Sequence, residues 1–245
     1  MAYNAPHGPL QATQKYLDRF EHIEDKKRKT YAAMVSAVDD GVGRILDQLE
    51  SSSIAKNTII FFLSDNGGPE PKNGSNNGPL REGKSSIYEG GNRVPFAMQW
   101  TGEISPMVYD NPVSSLDILP TIAELTNASI TEDKRFDGVN IIPYLKGEKQ
   151  GRPHPILYIR KFDEDLYSVR DGNMKLVTKK NSVKELYNLG KDIGEKNDLA
   201  KIFPEEVYRL DSLLQHWNSQ LIDPIFLGLI HTERWQKKLK EKTRK

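Results

Sequence analysis

Between residues 24 and 50, apolar side chains recur three and four apart: Tyr31, Met34, Val35, Val38, Val42, Ile45, Leu46 and Leu49. That spacing draws one apolar stripe and predicts a long amphipathic helix. A polar turn, Ser51-Ser-Ser53, leads into Thr58-Ile-Ile-Phe-Phe-Leu-Ser-Asp-Asn-Gly-Gly68. Its β-branched and aromatic residues do not alternate with polar ones, which predicts a strand at 59–63 buried on both faces of a parallel sheet. A helix feeding a buried strand is the pattern of an α/β domain. Residues 67–91 are rich in Gly, Asn, Pro and charge without a period, and a loop that long in a compact domain tends to be functional or disordered. Residues 93–100 predict another strand. Residues 114–127 predict a helix with Asp117 near its N-cap and Pro120 in its first turn.

The pattern changes after about Gly147. Residues 155–162, 166–170 and 174–178 predict strands, the last two joined through Asp171-Gly172-Asn173, a hairpin signal. Pro204 then opens a helix with Val207, Leu210, Leu213, Leu214, Trp217 and Leu221 on one face. The expected organisation is a first domain over 1–147, a small α+β domain over 148–230, and a basic tail over 231–245 that reads as a solvated terminus. No internal repeat is visible.

The 245 residues carry a formal net charge of +1, which argues against nucleic acid or a membrane surface as the default partner. No apolar stretch is long enough to span a bilayer, and the opening residues lack the basic and apolar regions of a signal peptide. They form instead a Pro/Gly-rich segment, Ala5-Pro-His-Gly-Pro9, from which we expect that Met1 is not the natural start of the full protein. Cysteine is absent, so the chain holds no disulfide, thiolate metal site or cysteine nucleophile.

Four residues stand out chemically. Asp65 and Asn66 fall at the carboxyl end of the predicted strand, where α/β sheets bind ligands. Together they offer hard oxygen ligands suited to Ca²⁺ or Mg²⁺. Asp-Asn-Gly is equally ordinary turn chemistry, and the segment alone leaves both readings open. Lys84 lies on a glycine-flanked loop, where a lysine can bring a point charge to a bound oxyanion or remain solvated. His7 sits on a loop stiffened by prolines, where imidazole could donate to an anionic oxygen or protonate a leaving group. Asp39 and Asp40 are rejected as a metal pair, because neighbours on a helix point about 100° apart; Asp40 is expected to make a local contact. His154 and His231 have no evident partner. Asn73-Gly-Ser75 and Asn127-Ala-Ser129 match the glycosylation pattern, a motif short enough to arise by chance.

Taken in order, the segments resemble the sulfatase family of the alkaline-phosphatase superfamily. They are Ala5-Pro-His-Gly-Pro-Leu-Gln11, Tyr31-Ala-Ala-Met-Val35, Asp39-Asp-Gly-Val-Gly-Arg-Ile45, Ser64-Asp-Asn-Gly-Gly68, Pro79-Leu-Arg-Glu-Gly-Lys84 and Tyr88-Glu-Gly-Gly-Asn-Arg-Val-Pro95. Ser115-Leu-Asp-Ile-Leu-Pro-Thr121, Val169-Arg-Asp-Gly-Asn-Met-Lys-Leu176 and Glu185-Leu-Tyr-Asn-Leu189 continue the series. His-Gly-Pro-Leu-Gln and Asn77-Gly-Pro-Leu-Arg look most like the arylsulfatase B, or N-acetylgalactosamine-4-sulfatase, type. The resemblance implies an alkaline-phosphatase-like α/β fold: a mixed, mostly parallel sheet with flanking helices, here partial, plus a small C-terminal α+β domain with an antiparallel sheet. It implies hydrolysis of a sulfate ester, of a sulfated carbohydrate or an aryl sulfate, by an enzyme typically exported or lysosomal. Asp65 and Asn66 match the family's second pair of calcium ligands. Lys84 matches the lysine on the sulfate group, and His7 a histidine near the sulfate and the leaving oxygen.

The family's nucleophile is a formylglycine made in a Cys/Ser-x-Pro-x-Arg motif, with Ca²⁺ offsetting charge in the transition state. Neither that motif nor the family's first Asp-Asp metal pair occurs in this sequence. The chain is therefore expected to be the later half of a catalytic domain plus the small C-terminal domain, inactive alone, with the missing N-terminal half as its partner. A non-catalytic relative that binds a sulfated glycan or a partner chain, and a phosphoesterase of the same superfamily, are the competing readings. Glu82 stands where the family often has Gly.

Overall fold

The computed structural model describes residues 1–128, 136–179 and 183–225. The basic tail, His231 and Ser129 of the second glycosylation match lie outside the described residues. The chain divides into two compact units: Met1–Gly78, Glu82–Lys84 and Gly90–His154 form the first, and Pro79–Arg81, Ser85–Glu89 and the residues from Pro155 form the second.

In the first unit a short helix α1 (Gln14–Leu17) precedes the long helix α2 (Lys26–Ser51), which bears the predicted stripe. Its start is fixed by the Asp25 side chain, which accepts the Arg28 N–H at 2.6 Å. Its end is a Schellman turn: Ile54 N–H donates to Leu49 O and Ser53 N–H to Glu50 O, with Ser53 at φ +57°. Asp40 makes no local contact of the expected kind: it forms a two-pronged pair with Arg19, 21 residues earlier in the chain, at 2.7 and 2.9 Å, which holds its carboxyl down at about 2.

β1 (Ile59–Leu63) forms where predicted, but its surroundings differ from the expectation. It pairs antiparallel with β2 (Phe96–Trp100), Ile59 opposite Trp100 and Leu63 opposite Phe96. All strand pairs among the described residues are antiparallel. A two-stranded ribbon cannot bury both faces of β1, and Phe62 stays 45% exposed. Between the strands lies the long loop, with only α3 (Glu89–Asn92) in it. α4 (Ile118–Leu125) is entered by a 3₁₀ turn under a capping box of Ser114 and Asp117. α5 (Ile142–Leu145) was not predicted. Asp117, fully buried, accepts from Ser114 N–H at 2.7 Å, Val139 N–H at 2.9 Å and His154 Nε2 at 2.8 Å, which gives His154 the partner its sequence context did not reveal.

The second unit is an antiparallel meander of β3 (Ile156–Lys161), β4 (Leu166–Asp171), β5 (Met174–Lys179) and β6 (Val183–Asn188). α6 (Pro204–Asn218) covers one face, packing Leu210 and Leu214 on Val169, Leu176 and Leu186. Ile87 and Tyr88 pack on the other face with Val177, Tyr187 and Leu189. The β pleat puts Lys175 on the same face as Val177. Register also sets Lys175 opposite Arg170, two like charges that would repel. Glu89 answers both, at 2.9 Å from Lys175 and 3.5 Å from Arg170, and Glu195 lies 2.9 Å from Lys175.

Candidate active site

Residues 64–84 are ordered by side chains bonding to backbone rather than by a ladder. Arg28 Nη1, in the first turn of α2, donates to Gly74 O at 2.8 Å. Asn73 accepts Ser75 N–H at 3.0 Å, and Asn76 accepts Gly78 N–H at 2.8 Å, each making a small Asx turn.

At the end of β1, Asp65 is exposed and Asn66 half-buried. Asn66 Nδ2 donates to Gly67 O at 3.0 Å, and Ser64 Oγ donates to Asn66 O at 3.0 Å. The Asn66 Oδ1 therefore remains, with the Asp65 carboxylate, a hard oxygen donor on the turn. The glycines after it are required by close approach: a Cβ on Gly67 would lie 1.7 Å from Gly90 O, and one on Gly68 would lie 2.2 Å from Ser75 Oγ.

The lysine loop docks directly on this turn. Lys84 N–H donates to Gly68 O at 3.2 Å, and a Cβ on Gly83 would lie 2.1 Å from the same oxygen. Asn77 joins the two segments: its Oδ1 accepts Gly68 N–H at 2.8 Å, and its Nδ2 donates to Gly68 O at 2.8 Å and Glu82 O at 3.0 Å. Glu82 holds φ +59°, a left-handed backbone that glycine adopts without strain, which accounts for the glycine the resemblance leads one to expect there. So the fold brings Asp65, Asn66 and Lys84 onto adjoining loops, Lys84 with an exposed side chain. His7 is exposed too, and its hydrogen bonds stay within its own turn, Nδ1 to Gly8 O at 2.7 Å and N–H to Asn4 O at 2.8 Å.

Residues 79–81 and 85–89 belong to the second unit. Arg81 stacks 3.8 Å over the Tyr88 ring, and its Nη1 donates to Tyr187 Oη at 2.9 Å and Glu195 O at 2.8 Å. Burial, then Glu185, pushes the Tyr187 hydroxyl up in pKa. Burial would raise Glu185 likewise, but hydrogen bonds from Lys179, Tyr88 and Tyr187 bring it net downward. Glu195, buried at φ +50°, is raised by burial against the opposing pull of Lys175. An open groove of about 450 Å³ beside it is lined by Pro79, Leu80, Arg81, Gly194, Glu195 and Lys196.

Sequence reasoning missed Asn77 as a pin and the Glu89–Lys175–Glu195 cluster. Asn77 had left a signal in Asn77-Gly-Pro-Leu-Arg; a lysine amid apolar strand residues gave none, since such positions usually face solvent. Among the described residues no group of three or more His, Cys, Asp or Glu side chains is arranged to hold a metal. Asp65 and Asn66 fit a hard divalent cation by donor type, and two oxygens make a partial share of the six to eight that Ca²⁺ takes. Among the described residues no helix is long and apolar enough to cross a membrane.

A family model described as Sulfatase matches residues 1–128. The chain is 34% identical over 260 residues to the uncharacterized sulfatase YdeN of Escherichia coli (strain K12), covering 89% of this chain and 45% of that protein. It is 33% identical over 165 residues to N-acetylgalactosamine-6-sulfatase of Homo sapiens, covering 65% and 30%. The crystal structure of Ps i-CgsB in complex with k-i-k-neocarrahexaose superposes with a TM-score of 0.85 at 33% identity, covering 99% of this chain and 53% of that one. The chain thus spans about half the length of these relatives or less. The structural likeness bears out the expected alkaline-phosphatase-like α/β class.

Proposed function

The chain belongs to the sulfatase family of the alkaline-phosphatase superfamily, and on that premise we propose that it supplies one side of the active site of a sulfuric ester hydrolase acting on a sulfated carbohydrate. The observation that carries the reading is the docking of the Lys84 loop on the Asp65–Asn66 turn, with Lys84 N–H on Gly68 O at 3.2 Å. It joins a pair of hard metal ligands to a cation suited to sulfate. The complex of Ps i-CgsB with a carrageenan oligosaccharide, at 33% identity over nearly the whole chain, supports a carbohydrate as the substrate class.

In this reading the first unit is the later half of the catalytic domain and the second is the small C-terminal domain. Asp65 and Asn66 hold Ca²⁺, which when bound lowers the energy of charge building on the sulfate oxygens. Lys84 holds a sulfate oxygen as a mobile point charge. His7 serves near the leaving oxygen, where its imidazole can deliver a proton. The formylglycine nucleophile and the remaining metal ligands come from residues outside these 245, which contain no cysteine and no Ser-x-Pro-x-Arg.

Assay of this chain alone on 4-nitrophenyl sulfate, with calcium titrated by calorimetry, tests the proposal. The expected result is no turnover and calcium binding no tighter than about millimolar, since two ligands build only part of a site. Turnover, or micromolar calcium binding, would refute it.

A further inference from the structure

The Asn77 side chain satisfies the backbone of two different segments at once. Only Oδ1 can accept the Gly68 N–H, which fixes Nδ2 toward the carbonyls of Gly68 and Glu82. The amide thereby does what a neighbouring strand would do, in a stretch where no ladder forms. Gly68 O is shared: it accepts from Asn77 Nδ2 and from Lys84 N–H. There is no slack around it, since a Cβ on Gly83 would lie 2.4 Å from Asn77 Nδ2. The left-handed backbone of Glu82 is a strained state that persists where its surroundings over-determine it, and its carbonyl is one of the three groups Asn77 holds.

We propose that Asn77 is a positioning residue, which clamps the Lys84 loop onto the Asp65–Asn66 turn and so sets the placement of the sulfate-binding cation relative to the metal ligands. The clamp itself is read from these contacts; its consequence for catalysis rests on the functional reading above. Other side chains do not reproduce it. Aspartate keeps the acceptor but turns a second oxygen toward two carbonyls, and alanine removes all three bonds.

The two changes separate the clamp from general stability. Residue-resolved amide exchange on the 245-residue chain is the primary readout. In Asn77→Asp the Lys84 amide should exchange about tenfold faster or more, while the Gly68 amide keeps its protection to within about threefold. In Asn77→Ala both amides should open by about tenfold or more, with the α2 amides at Ala33 and Met34 unchanged. Retained protection of Lys84 in both variants would overturn the proposal. So would equal acceleration in α2, the mark of a merely structural residue. In the intact enzyme, Asn77→Asp should lower kcat on an aryl sulfate about tenfold while shifting calcium affinity by less than about threefold. The expected exchange pattern with unchanged kcat would keep the clamp and overturn its consequence for the placement of Lys84.

Discussion

Replacing Lys175 by Met tests the interior of the second unit. Its side chain is 1% exposed and its ammonium lies 2.9 Å from a carboxylate oxygen of both Glu89 and Glu195, themselves 5% and 0% exposed. The Glu195 contact is an ion pair rather than an aligned hydrogen bond. Methionine fills much of the volume but leaves two buried carboxylates facing each other, with Arg170 on Glu89 from the neighbouring strand. Removing one partner of a buried ion pair costs about 3–5 kcal/mol, most of it from the charge left behind. We therefore expect Lys175→Met to destabilise the second unit by about that much near pH 8.

The sign of its pH dependence follows from Glu195. Burial already raises this carboxyl above its ordinary range, and Lys175 pulls it down. A carboxyl raised on folding adds stability at pH below its unfolded value, and that contribution is lost as pH rises through the folded value. Without Lys175 the rise is larger, so the deficit of the variant should shrink towards about pH 5. Urea unfolding should be followed by the fluorescence of Trp217, which stacks on Tyr158 at 4.8 Å, with Trp100 and Trp235 replaced by Phe. A loss below about 1 kcal/mol, or one independent of pH, would show that Lys175 does not offset the buried Glu89 and Glu195 charges.

Three further outcomes follow from single substitutions. Ser53→Gly relieves φ +57° at the end of α2 and should raise stability by up to about 1 kcal/mol, read by thermal unfolding. Asp117→Ala leaves Ser114 N–H, Val139 N–H and His154 Nε2 without their buried acceptor and should cost about 3 kcal/mol or more, by urea titration of the first unit. Lys84→Ala in the intact enzyme should cut kcat about a hundredfold or more with unchanged circular dichroism, because the side chain is exposed.

What the sequence made legible tracks how local the determining physics is. The α2 stripe, the β4–β5 hairpin at Gly172-Asn173 and the α6 face rest on near-neighbour spacing, and each formed within a few residues of its expected bounds. β1 was found as a strand, but an unbroken apolar run carries no period to say which strand lies beside it, and the parallel neighbour proved to be antiparallel β2. β6 carries no strand pattern in the sequence, because Lys184 and Glu185 interrupt its apolar residues, though Leu186 and Tyr187 are buried. Asp65, Asn66 and Lys84 were visible as residue types with a chemistry. That one asparagine ties their loops together depends on contacts nine and five residues away, which no periodicity encodes.

In the proposed function, Asp65, Asn66 and Lys84 form one side of a sulfatase site. The most direct measurement is calcium-dependent hydrolysis of an aryl sulfate by the intact enzyme, wild type against Asp65→Ala/Asn66→Ala. The double variant should lose about a hundredfold or more in kcat/KM, with its calcium affinity collapsing in parallel. Full activity at unchanged calcium affinity in that variant would contradict that function.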